Sequence, residues 1–309
     1  MGAGAVLLWS VTSTCIVFVG IQLGAWQFLA VTSALAGLLQ LACYLAMGRS
    51  LRSVLFPPAR LWLAMILGFV LYLVLYTMGL VSSSTEAQAV GVSLMNYLWP
   101  ALAILFTTWL VPGERMHTRL VVSIVLSLAS VVLANGRDIA LPGSGVSIWP
   151  YLLGGAAAAS WAAYCALMSR WTRWAKDYAT APMGFMMVGA VAAGVCLWRR
   201  EWTPMDGRAW GLVLLTAIGP WAGAYMLWEL ALHRASGVTL ALLGSATPVL
   251  STVWLIVFFA VTSAAPVSGS RVVILLAASV MIAVAVAIGR PSSPPQSRLG
   301  ADPMGKGFS

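Results

Sequence analysis

The sequence predicts an all-α membrane protein of about ten transmembrane helices, arranged as a 5+5 inverted-topology repeat. The prediction rests on composition, on the spacing of apolar stretches, and on residues that recur between the two halves. Of the 309 residues, 61% are apolar and 8% are charged, and the mean hydropathy is +0.93. About a quarter of the residues in a soluble globular chain are charged. The composition therefore indicates a chain that folds in lipid.

Apolar stretches that could cross a bilayer follow one another along the chain. A hydrocarbon core of roughly 30 Å requires about 20 helical residues. The first stretch, Ala3 to Val19, lacks both a preceding basic residue and a following cleavage pattern, so we expect a retained span rather than a signal peptide. Division at Gly, Pro and charged residues gives ten candidate spans: 3–20, 25–47, 60–81, 86–110, 118–135, 147–169, 180–198, 209–231, 236–260 and 271–289.

The basic residues predict the orientation. Twelve of the 17 Lys and Arg residues fall in the even-numbered loops and the tail, and five fall on the other side. Because basic loops stay in the cytoplasm, we expect both termini to be cytoplasmic in a bacterial inner membrane. The net charge of +9 is scattered over loops, so no nucleic-acid partner is expected. The tail, residues 290–309, is rich in Pro, Ser and Gly and is expected to be disordered.

Residues recur between the two halves at nearly one offset. Pro100 and Pro248 are 148 residues apart, and Tyr76 and Tyr225 are 149 residues apart. Each half would hold five helices, an odd number, so the second half must enter the membrane from the opposite side. Inverted repeats are typical of alternating-access carriers, whose binding site lies near the midplane between the repeats. The recurrence therefore predicts a transporter.

The predicted organisation has two repeats and a tail. Residues 1–146 would form the first five-helix repeat and residues 147–289 the second. The lipid bilayer and a small-molecule substrate are the expected partners. A monomer is compatible with this pattern, and no feature of the sequence determines the oligomeric state.

Three prolines within predicted spans are candidate hinge or gate residues: Pro100, Pro220 and Pro248. A proline inside a helix cannot donate to the carbonyl four residues earlier. In lipid, such a break persists only where protein, water or substrate satisfies the freed carbonyl. A packing kink healed by a neighbouring helix is the alternative. The recurrence of Pro100 and Pro248 in both halves favours a hinge or a cavity lining.

A polar face in the fourth span predicts a cavity near the midplane. Asn96 lies there among aromatic residues, and a mid-membrane amide faces either a partner helix or a wet cavity. We favour the cavity, because deep Trp and Tyr side chains also have an N–H or O–H to satisfy. Packing in the core or against lipid is the alternative for some of them. The candidate substrate-binding residues are Tyr76, Asn96, Tyr97, Trp99, Pro100, Trp161, Tyr164, Tyr225 and Trp228.

Glu229 is the one carboxylate clearly within a predicted span. It could pair with His233 one turn later, lie where water reaches it, or serve as a proton site. The sequence shows no metal-ligand cluster and no phosphate-binding Gly loop. We therefore expect no cofactor, no metal and no catalytic residue, and we do not expect an enzyme.

Several motifs resemble a known family. LLWS (Leu7 to Ser10), the stretch ending at Pro100 with Glu114 after it, and SATPVL (Ser245 to Leu250) resemble the EamA-type branch of the drug/metabolite transporter superfamily. The resemblance extends over residues 3–289, although the second half lacks the glutamate after its ninth span. MNYLWP, ending at Pro100, resembles the fourth helix of aromatic amino acid exporters of the YddG type.

This resemblance implies efflux of aromatic amino acids, and of other amino acids as further substrates, through a central cavity. The cavity would be lined by helices 1, 3, 4, 6, 8 and 9. Scarce buried carboxylates favour a carrier without strong ion coupling, and proton coupling through Glu229 is the alternative. A broad-specificity drug or metabolite exporter of the same fold is the second candidate. The implied cavity residues are Tyr76, Asn96, Tyr97, Trp99, Pro100 and Trp161.

Overall fold

The computed structural model describes most of the predicted membrane region. The described residues are 1–110, 116–140, 146–175, 178–232, 243–244, 246–262 and 268–289. Three residues named above, Glu114, His233 and Ser245, and the C-terminal tail (residues 290–309) lie outside these ranges. Within the described residues the secondary structure is helical and contains no strand.

Ten long helices succeed one another along the described chain. A single-turn helix, Leu51–Leu55, which the sequence did not predict, connects the second and third of them. The long helices are α1 (Gly2–Leu23), α2 (Ala25–Ala46), α3 (Ala59–Val81), α4 (Glu86–Leu110), α5 (Thr118–Ala140), α6 (Trp149–Ala175), α7 (Ala181–Arg199), α8 (Gly207–Ala231), α9 (Thr247–Thr262) and α10 (Gly269–Ile288).

Eight of these helices are long and apolar enough to cross a membrane. Their bounds agree with the predicted spans to within a few residues, and the prediction of a multi-pass α-helical membrane protein is confirmed. The apolar part of α5 and the described α9 are shorter than a full span. The predicted ninth span starts at residue 236, whereas the described α9 starts at Thr247, because most of the intervening residues lie outside the described part.

Two of the described helices, α3 and α8, each widen into a π-helical turn. The turn in α3 is Ile66–Leu71, and the turn in α8 is Ala217–Gly223, with Pro220 inside it. Such turns occur frequently at functional sites. Backbone carbonyls in both turns accept hydrogen bonds from other helices. The Ser160 hydroxyl donates to the Leu67 carbonyl at 2.7 Å, and the Gln40 amide donates to the Ala222 carbonyl at 2.9 Å.

The other two candidate hinge prolines lie at the starts of helical segments. α4 is interrupted at Tyr97 and Leu98, and Pro100 lies in the first turn of the segment that follows. Pro248 likewise lies in the first turn of the described α9. A proline is well tolerated there because the first N–H groups of a helix have no partner within it. The interruption at Tyr97 and Leu98 therefore separates α4 into two segments near its middle.

The long helices pack against one another in a small number of close contacts. α2 packs along α7, and α5 packs along α10. α6 packs against α3 and α4, while α1 packs against α8 and α9. Gly37 permits the close contact of α2 with α7, because a Cβ atom there would lie 2.7 Å from the Met186 Cγ. This arrangement leaves α1, α3, α4, α6, α8 and α9 around the centre of the protein.

Candidate functional site

Trp161 of α6 lies at the centre of a cluster of aromatic rings. Its ring centroid is 4.9–6.4 Å from those of six other aromatic side chains, four of them edge-on and two tilted. These arrangements suit the quadrupoles of aromatic rings. The six rings come from α1, α3, α4, α6 and α8, and belong to Trp9, Phe69, Tyr72, Trp99, Tyr164 and Tyr225.

A narrow central chamber lies within this cluster. Its volume is about 30 Å³, which is room for only a few water molecules. An indole or phenyl group can therefore enter only if the surrounding rings move apart. The chamber is lined by Trp9, Thr12, Tyr72, Tyr76, Asn96, Tyr97, Trp99, Trp161, Tyr225 and Thr247.

The structure brings most of the candidate binding residues together. Six of them line the chamber: Tyr76, Asn96, Tyr97, Trp99, Trp161 and Tyr225. Tyr164 lies behind Trp161, where its hydroxyl is 3.1 Å from that of Thr180. Trp228 lies behind Trp9, with ring centroids 4.9 Å apart. Pro100 is buried next to Trp99 but does not line the chamber.

Sequence reasoning missed four of the lining residues. Tyr72 could have been found, because it lies one helical turn before Tyr76 on the same face. Trp9 also offered a signal, since it is a tryptophan within the first span. Thr12 and Thr247 offered none, because a mid-span threonine usually bonds within its own helix.

A hydroxyl cluster closes one end of the chamber. The Ser13 hydroxyl lies 2.6 Å from that of Tyr76, 2.9 Å from that of Ser93 and 3.2 Å from that of Ser251. The four residues come from α1, α3, α4 and α9, and all are buried. We refer to Ser13, Tyr76, Ser93 and Ser251 as the hydroxyl cluster. Its hydrogen bonds connect these four helices next to the chamber.

A second, wider cavity lies beyond the hydroxyl cluster. It has a volume of about 390 Å³ and is open to the surface. Along α1, Thr12 lines the chamber, Ser13 belongs to the cluster, and Val17 lines the second cavity. The same order recurs along α4 in the opposite direction, from Asn96 to Ala89. The hydroxyl cluster therefore lies between the chamber and this second cavity.

Glu229 lies one turn beyond the chamber, on the side away from the hydroxyl cluster. The Tyr44 hydroxyl donates to one of its carboxylate oxygens. The backbone N–H and the hydroxyl of Thr180 donate to the other, at 3.0 and 3.3 Å. Tyr164 extends this network to α6 through Thr180. Glu229 thus connects α2, α6, α8 and the start of α7.

The fold and the aromatic chamber define a class of protein. Ten successive helices, at least eight of them able to span a membrane, surround a buried chamber at their centre. Among the described residues, those that line this chamber include no charged side chain. A multi-pass membrane protein with such a central chamber has the architecture of a small-molecule transporter.

Comparison with known proteins of similar sequence identifies the family to which the chain belongs. The chain is 30% identical over 288 residues to the aromatic amino acid exporter YddG of Ancylobacter novellus, which covers 90% of this chain and 96% of that relative. It is 28% identical over 270 residues to the YddG of Escherichia coli, which covers 82% and 85% of the two chains. No family model matches the chain. The chain belongs to the YddG family, within the drug/metabolite transporter superfamily.

A solved crystal structure has the same fold. It superposes with a TM-score of 0.68 at 26% sequence identity, and covers 92% of this chain and 95% of the other. The match therefore extends over both halves of the protein.

Proposed function

We propose that the protein exports aromatic amino acids, and other amino acids beside them, from the bacterial cytoplasm across the inner membrane. The observation that supports this most strongly is the aromatic chamber around Trp161, whose rings can stack with the side chain of an aromatic substrate. The relatives in Ancylobacter novellus and Escherichia coli bear the name of aromatic amino acid exporters, which agrees with this chemistry.

The export cycle that we propose is alternating access between two inverted five-helix repeats, residues 1–146 and 147–289. The π-helical turns of α3 and α8 begin 151 residues apart, at Ile66 and Ala217. The packing of α6 on α3 and α4 matches that of α1 on α8 and α9. Both observations support a pair of related halves that rock about the chamber between them.

The hydroxyl cluster is the outer gate in this proposal. With both termini in the cytoplasm, the cavity lined by Val17 and Ala89 faces the periplasm. The hydroxyl cluster then separates substrate in the chamber from the outside. Outward opening would part the four helices and exchange these hydrogen bonds for bonds to water. Pro100 and Pro248, at the starts of their segments, would be the points about which α4 and α9 bend.

The Glu229 network lies on the opposite side and is the inner gate in this proposal. Tyr44, Thr180 and Tyr164 connect it to three further helices. Inward opening would break this network while the hydroxyl cluster stays intact. The two networks would therefore open alternately.

Efflux from intact cells tests the proposal. Cells that produce the protein are loaded with radiolabelled tryptophan or phenylalanine, and release of the label is compared with release from cells that lack it. We expect faster release, which excess unlabelled aromatic amino acid slows. Hydrophobic toxins that slow tryptophan release equally well would favour the broad drug exporter. Release at the control rate would contradict the proposal.

We expect Glu229→Gln to transport tryptophan within about threefold of the wild-type rate, with the same rate from pH 6 to pH 8. The glutamine carbonyl can accept from Thr180, and its amide can donate to the Tyr44 hydroxyl, so the network survives without a charge. The measurement is tryptophan flux into proteoliposomes at a series of pH values.

Glu229→Leu is the matched variant, because it removes the hydrogen bonds as well as the charge. We expect it to lower transport and thermal stability together, since the Thr180 N–H is left buried without its acceptor. A wild-type rate that depends on pH, combined with a Glu229→Gln rate that does not, would instead support proton coupling through Glu229.

A further inference from the structure

We propose that Trp9, Thr12 and Asn96 bind the ammonium and carboxylate groups of the substrate, and that the chamber selects net-neutral, zwitterionic α-amino acids. This inference rests on the proposed function and names the chemical group that the chamber recognises. The ring of the substrate would lie among the aromatic side chains around Trp161, and its polar end would face these three residues.

Three residues that line the chamber each have a polar atom that is buried without a hydrogen-bond partner in the described part of the protein. The atoms are Nε1 of Trp9, Oγ1 of Thr12 and Oδ1 of Asn96. All three residues line the same chamber, and the Asn96 side chain is buried, at 3% exposure. A buried polar atom without a partner is unfavourable, so each of the three has an unused capacity for a ligand.

The three atoms together match both ends of an amino acid. The Trp9 N–H can only donate, and the Thr12 hydroxyl can both donate and accept, so this pair suits a carboxylate. The Asn96 carbonyl oxygen can only accept, and it suits an ammonium group. Trp9 and Thr12 lie on α1, whereas Asn96 lies on α4. The carboxylate of the ligand would therefore contact α1, and its ammonium group would contact α4.

The absence of a charged side chain among the described lining residues determines the selectivity. A cationic amine or an anionic acid would enter this buried chamber without a counter-charge, which is costly at low dielectric. A zwitterion has no net charge, and each of its ends meets a dipole of the appropriate sign. We therefore expect the chamber to reject analogues of an aromatic amino acid that lack either group.

Two residues of the same kind provide matched controls. Thr14 on α1 and Trp221 on α8 also have a buried hydroxyl or N–H without a partner, but neither lines the chamber. Trp221 packs instead against Phe28 and Phe185. Loss of an unpartnered polar atom as such can therefore be distinguished from loss of a ligand contact.

Direct binding to the purified full-length protein tests the inference. The probes are tryptophan, leucine, tryptamine, which lacks the carboxylate, and indole-3-propionate, which lacks the ammonium. The wild type should bind tryptophan at least about tenfold more tightly than either analogue, because each analogue leaves a polar atom of the chamber unpaired. Calorimetry gives the dissociation constant for each probe.

The variants assign each end of the ligand. Thr12→Val and Trp9→Phe should each weaken tryptophan binding about five- to tenfold and leave tryptamine binding unchanged. Asn96→Leu should weaken tryptophan binding to a similar extent and leave indole-3-propionate binding unchanged. Thr14→Val and Trp221→Phe should leave the binding of all four probes unchanged.

The outcomes separate this inference from the proposed function. If the Thr12, Trp9 and Asn96 variants lose affinity for all four probes equally, the inference is overturned. It is also overturned if the wild type binds tryptamine and indole-3-propionate as tightly as tryptophan. In both cases binding of tryptophan to the wild type would still support the proposed function. Selective binding of leucine without tryptophan would support the inference and contradict the aromatic substrate. Failure to bind either amino acid would overturn both.

Discussion

Replacement of Trp161 by alanine is expected to lower tryptophan transport about 30-fold or more. Trp161 contacts six aromatic rings and lines the chamber, so its indole is the central surface on which a substrate ring can stack. Truncation of such a buried aromatic anchor typically weakens binding by about 2 kcal/mol or more, which corresponds to about 30-fold. The measurement is the rate of tryptophan efflux at equal amounts of protein in the membrane.

Two further variants distinguish stacking from general damage. Trp161→Phe retains a ring and should keep about a third of the wild-type rate, since much of the stacking surface remains. Trp198→Ala removes a tryptophan that is 83% exposed at the end of α7, and it should transport normally. Normal transport by Trp161→Ala would show that substrate does not pass through this chamber.

The Ser13→Ala variant is expected to open the chamber to the periplasm. The Ser13 hydroxyl contacts the hydroxyls of Tyr76, Ser93 and Ser251, and it is the member of the hydroxyl cluster that contacts all three others. One net hydrogen bond lost from the closed state, worth up to about 1.4 kcal/mol, should favour the outward-open conformation by up to about tenfold. A cysteine introduced at Thr247, which lines the chamber, should react up to about tenfold faster with a membrane-impermeant thiol reagent added to intact cells.

This labelling requires a background in which the four native cysteines are replaced. Ser10→Ala is the matched control, because the Ser10 hydroxyl is also buried on α1 but donates to the Leu7 carbonyl of its own helix. It should leave the labelling rate unchanged. Equal rates in Ser13→Ala and in the unmodified background would contradict the assignment of the hydroxyl cluster as the outer gate.

The helices could be predicted closely because each depends on its own residues. A span requires only a sufficient length of apolar sequence between polar ends, and that information is local. The predicted third and fourth spans, 60–81 and 86–110, differ from α3 and α4 by no more than one residue at any end. The interruption of α4 was likewise indicated by Pro100.

The chamber could be predicted only in part, because its lining depends on how each helix is rotated. Tyr164 and Trp161 are three residues apart on α6, yet Trp161 lines the chamber and Tyr164 bonds to Thr180 behind it. The π-helical turn in α3 contains no proline, so no residue in the sequence indicated it. The hydroxyl cluster joins residues up to 238 positions apart, and no local pattern specifies such a contact.

Counterflow of tryptophan in proteoliposomes tests the central claim most directly. Purified protein is reconstituted into vesicles that contain unlabelled tryptophan, and radiolabelled tryptophan is added outside without a pH gradient. A carrier that alternates around the chamber predicts transient accumulation of label inside, which Trp161→Ala reduces. Uptake no greater than that of protein-free vesicles would contradict the claim that this chamber carries aromatic amino acids.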